Sequence, residues 1–149
     1  MQNIGKWFFT GMGRWVLACG MIGGTLSAHA VELPAGGGQA MDLYLQAWQT
    51  DDAAQRLQLL QQSVAEGIAY RDPGKVTQGI PALSGYIAEV RNQYPGMLGH
   101  WLAAPQLQDG AYSRAWRLET PQGVKLFTGV DTVEFAGDGK LKTISGRFD

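Results

Sequence analysis

Two aspartates stand where a carboxyl group can do acid–base work. Asp72 ends the stretch "IAYRDPG", at the close of an apolar alternation in which Ile68, Tyr70 and Asp72 share one face. Pro73 locks the chain directly after it, so Asp72 is either a turn-former or a carboxylate aimed by the strand into a cavity. Asp131 lies in "KLFTGVDTVEF", where alternation puts Phe127, Gly129, Asp131, Val133 and Phe135 on one face. A charge in the middle of an apolar face needs a partner or a proton. Arg114 or Arg147 could supply the first, and desolvation would favour the second by raising the carboxyl pKa. If both faces line one hollow, two carboxyls in different surroundings can divide acid and base roles.

Other residue types narrow the chemistry by their scarcity. The chain has 149 residues, one cysteine and two histidines. Cys19 and His29 both fall in a leader-like segment. Lys6 and Arg14 precede the apolar run "WVLACGMIGGTLS", and "AHA" supplies small residues before Val31. This is the pattern of a secretory signal peptide over residues 1–30, giving a periplasmic or secreted protein with no stable membrane insertion after cleavage. Without those residues, 10 basic face 13 acidic side chains, a formal charge of −3, because only Lys6 and Arg14 are lost. Such a surface offers no footprint for nucleic acid. His100 is then the only histidine and no cysteine is left, which removes zinc sites built from those ligands and any thiolate nucleophile. No metal or organic cofactor is implied.

The elements that must position these acids follow from periodicity. "VELPAGGGQ", residues 31–39, reads as a flexible lead-in, and residues 40–149 as one domain. Met41, Tyr44, Leu45 and Trp48 recur at helical spacing. Thr50, Asp51 and Asp52 then break the helix and offer an N-cap to a second one carrying Leu57, Leu60 and Val64. "GIAYRD" is a short strand, and "KVTQG" a further strand candidate. A third helix starts at Gly79 with Pro81 in its first turn, buries Leu83, Tyr86, Ile87, Val90 and Tyr94, and ends at Pro95–Gly96. The period then changes to two. Four strands, separated by "QDG", "PQG" and "GDGK", form an antiparallel meander. The class is α+β, and a sheet curled around helices leaves a blind pocket suited to a small apolar molecule.

The order of elements, with "YRDP…G…AL..YI" and then "FTGVDTVEFAGDGKLKTISGRF", resembles the nuclear transport factor 2-like superfamily. Within it, the likeness is to the SnoaL-like and ketosteroid isomerase-like branch, over residues 40–148. The resemblance implies a cone-shaped, curved antiparallel sheet around three helices, in the order αα-β-α-ββββ. It also implies a cofactor-independent isomerase, cyclase or lyase, or else a non-catalytic ligand-binding or homodimeric module. Carried over by residue, Asp72 corresponds to the isomerase base, Asp131 to the second acid and Tyr44 to the oxyanion-stabilising tyrosine. Ketosteroid isomerase is itself a worked case of a protonated aspartate paired with a tyrosine donor.

Large rings and one imidazole complete the expected site. Trp48, His100, Trp101, Trp116, Phe127 and Phe148 are candidate ligand-binding residues, with core packing the alternative for each. Tyr44, part of the helix stripe, is equally a core aromatic. Lys75, three residues after Asp72, is a candidate ion-pair partner for it. Outward-facing Leu126, Thr128 and Val130 offer the sheet as a homodimer surface.

Overall fold

The computed structural model describes residues 31–149, so the expected signal peptide lies outside the described residues. Three helices, α1 (Gly37–Trp48), α2 (Ala53–Ser63) and α3 (Ile80–Gln93), pack against seven strands. The strands are β1 (Val64–Arg71), β2 (Val76–Gln78), β3 (Leu98–Trp101), β4 (Gln106–Gln108), β5 (Ala111–Glu119), β6 (Lys125–Phe135) and β7 (Leu141–Phe148). Among the described residues no helix is long and apolar enough to cross a membrane.

The sheet runs β2-β1-β7-β6-β5-β3, with β4 also on β5. It is curved, unclosed and mixed rather than wholly antiparallel. β1 pairs with β7 in parallel, Tyr70 beside Ile144 and Arg71 beside Ser145. A parallel neighbour needs a long connection, and α3 with the meander supplies it. The meander has five strands instead of four, because the expected strand after α3 is split. β3 pairs with residues 116–119 of β5 and β4 with residues 111–113. Pro105, lacking an N–H, stands just before β4 begins. At the next turn Asp109 and Gly110 both take positive φ, 53° and 78°, as a two-residue hairpin link of the primed type requires.

Helix boundaries follow local chemistry. The Asp52 carboxylate accepts from the Gln55 amide at 2.7 Å and caps α2. Val64, expected on the apolar face of α2, is instead the first residue of β1. Pro81 sits in the first turn of α3, where its missing N–H costs nothing. The glycine run also differs from expectation. Gly37 is already in α1 and buried, where any Cβ would press on the Phe135 ring. Leu33 packs against the core. From Leu33 on, the lead-in is part of the fold.

Two buried arginines fix the corner between α1 and α2. Arg91 donates to the Trp48 carbonyl at 2.7 Å and to the Asp51 carboxylate. Arg56 donates to Ser84 Oγ at 3.0 Å and to the Thr50 carbonyl at 2.8 Å. Burying a guanidinium is costly unless its protons are matched, and here they tie the end of α1 to α3. That anchors Trp48 and, one turn back, Tyr44.

Candidate functional site

A cavity of about 190 Å³ opens between α1, α3 and the concave face of the sheet. Its lining includes Tyr44 and Trp48 from α1, Asp72 beyond β1, Tyr86 from α3, and Trp116 and Asp131 from β5 and β6. Three acid–base candidates (Asp72, Asp131, Tyr44) and four ring candidates (Trp48, Trp116, Phe127, Phe148) therefore border one space.

Asp131 borders the cavity and is 6% exposed. Neither expected arginine reaches it. Arg114, its neighbour in the β5–β6 register, turns to the Ala103 carbonyl and Asp42. The Trp116 indole N–H donates to Asp131 Oδ1 at 2.8 Å instead. Burial, opposed by that hydrogen bond and helped by the charge of Asp72, pushes the Asp131 pKa up to about 7. Gly129 makes the contact between Trp116 and the strand possible. A Cβ there would lie 2.6 Å from the indole ring and would overlap the Arg147 carbonyl.

Asp72 fills both roles open to it. Oδ1 closes the turn, accepting from the Gly74 and Lys75 amides at 2.7 and 2.8 Å. Oδ2 accepts from the hydroxyls of Tyr70 and Tyr86, each at 2.7 Å. The lone-pair sites of a carboxylate number about four, so Asp72 is fully supplied with donors. Lys75 does not pair with it; the ammonium goes to Glu89 at 3.0 Å and lies over the Tyr86 ring. Burial comes first in holding the Tyr44, Tyr70 and Tyr86 hydroxyls well above the ordinary phenol pKa, followed by Asp131 for Tyr44 and by Tyr44 and then Asp72 for Tyr70. For Tyr86 the hydrogen bond to Asp72 comes directly after burial. All three are therefore neutral proton donors at ordinary pH.

Two expected ligand-binding residues face elsewhere. His100 stands opposite Arg117 in the β3–β5 register, and its Nε2 contacts Glu119 at 2.8 Å on the exposed side. Trp101 lies at the sheet edge, donating to Asp42 at 3.1 Å beneath the Arg114 guanidinium. Neither lines the cavity. Tyr70 and Tyr86, the donors to Asp72, were not among the expected site residues. Tyr70 was detectable, since alternation puts it on the Asp72 face. Tyr86 was counted only in the buried stripe of α3, and nothing local in sequence links it to Asp72.

No family model matches the chain, and no curated protein does. Solved structures do match. A protein described as an isomerase of the SnoaL-like family from Agrobacterium tumefaciens is 26% identical with a TM-score of 0.70, covering 77% of this chain and 98% of that one. A nuclear transport factor 2-like protein from Exiguobacterium is 16% identical with a TM-score of 0.61, covering 74% and 98%. A protein described as a polyketide cyclase from Sinorhizobium meliloti is 13% identical with a TM-score of 0.56, covering 72% and 93%. The last two speak to the fold alone. The described residues carry the nuclear transport factor 2-like fold, and the solved structures similar to them include SnoaL-like proteins.

Proposed function

We propose that this domain binds a small, largely apolar carbonyl compound and moves a proton next to the carbonyl without a cofactor. The observation that supports this best is the convergence of Asp72, Asp131 and Tyr44 on one apolar cavity. In this reading Asp131, protonated, and the Tyr44 hydroxyl donate to the carbonyl oxygen as negative charge develops there. Asp72 takes the α-proton and returns it to the same or a conjugated carbon. One donor must leave Oδ2 before a C–H can approach. Tyr86, only half-buried, is the one free to swing; Tyr70, 4% exposed, is not.

The saturated carboxylate also favours a second reading, a binding module in which Asp72 is structural. Deuterium exchange at the α-carbon of cyclohexenone, followed by NMR, separates the two. The parent chain should accelerate exchange, and Asp72→Asn should reduce it at least a hundredfold while binding survives. Binding with no accelerated exchange leaves the module.

Export is proposed on the leader pattern of residues 1–30 alone. A homodimer through the outer sheet face is proposed on half-buried Thr128 and Val130. Leu126, expected to face outward with them, packs partly buried against the core.

A further inference from the structure

Small-molecule sites usually enclose roughly 300–1,000 Å³, and this cavity encloses about 190 Å³. An engineered apolar hole of about 150 Å³ accepts benzene. The space here is therefore that of one ring with a short substituent.

Apart from Tyr86, the ring walls are braced against one another. Trp48 meets Tyr44 and Tyr86 edge-on, with ring centroids 6.4 and 5.9 Å away, and Arg91 holds its carbonyl. Trp116 is tied to Asp131 and packs edge-on against Phe148 at 5.7 Å. Phe148 stacks on Phe127 at 5.8 Å. Rotating any one ring breaks a hydrogen bond or an aromatic contact.

The two carboxyls meet over a glycine of β7. β7 runs between β1 and β6, and Gly146 stands opposite Asp131 in register. A Cβ at Gly146 would lie 3.1 Å from Asp131 Oδ1 and 3.5 Å from Asp72 Cβ. The absent side chain lets both acids close in on the β7 backbone.

We infer that the ligand is a single-ring, or equally short, carbonyl compound held with its oxygen toward Asp131 and its α-carbon toward Asp72. This rests on the reading above that the cavity binds such a molecule. A multi-ring ligand exceeds that space and would have to leave rings outside the cavity.

The test is a calorimetric titration of the full chain with phenol, a naphthol and a phenanthrol, each with one hydroxyl to reach the carboxyls. Affinity should fall at least tenfold from phenol to phenanthrol. Affinity that holds or rises with ring number overturns the size limit and leaves the binding site standing. If none of the three binds up to its solubility limit, the site reading and the size limit fall together.

Discussion

Asp72 and Asp131 border one cavity from strands that never pair with each other; β7 runs between them, and Gly146 is what it presents there. Asp72 acts on Asp131 through that gap. The charge of Asp72 contributes to the raised pKa of Asp131, while the tyrosine donors to Asp72 offset negative charge at its end.

Asp131 should make stability fall as pH rises. Its folded pKa of about 7 lies above the ordinary 3.8, so the folded chain keeps a proton that the unfolded chain releases. That contribution is complete below the ordinary carboxylate value and is lost as pH climbs through about 7. Asp131→Asn, which still accepts from Trp116, should match the parent near about pH 4. It should gain on the parent up to about pH 7, by roughly 1.4 kcal/mol per pH unit. Thermal melts across this range check it, and a flat difference between the two proteins contradicts it.

Removing the Trp116 donor should raise the Asp131 pKa further. The indole hydrogen bond holds it down against burial. Trp116→Phe keeps a ring against Gly129 but not the N–H. The carboxyl should titrate about one pH unit higher, the size of one net hydrogen bond. Carbon-13 NMR of labelled aspartate reads this directly; an unchanged or lower value counts against the assignment.

The two tyrosines on Oδ2 should differ in cost. Tyr70 is buried, so Tyr70→Phe forfeits a bond to a charged acceptor, about 1.5–3 kcal/mol. Water can replace the half-buried Tyr86, so Tyr86→Phe should cost under about 1 kcal/mol. Because they share an oxygen, the double variant should depart from additivity, as urea unfolding of all four proteins would show. If Tyr86 screens a working base, Tyr86→Phe should also speed α-proton exchange.

Periodicity made much of this legible. Alternation put Asp131 between Phe127 and Phe135 and turned Asp72 the same way as Tyr70, and helical spacing put Tyr44 and Trp48 on one stripe. All of these are local regularities. The parallel β1–β7 pair, by contrast, joins segments about seventy residues apart and has no local signature. The same holds for Trp116 reaching Asp131 across strands, Tyr86 reaching Asp72 from a helix, and Arg91 gripping Trp48. His100 pairs with Arg117 and so stands on the face away from Trp116, while Trp101 shares the inner face but lies beyond the stretch of edge strand that the cavity reaches.

The parallel contact also orders events in time. Non-local pairing forms late, after the entropy of closing a long loop has been met. A growing chain that has made β1, the helices and even β6 owns both carboxylates but has no β7 between them to bring them together. Asp131 should keep an ordinary acidity until β7 docks. Acquisition of its abnormal proton during refolding would then serve as a clock for completion of the sheet.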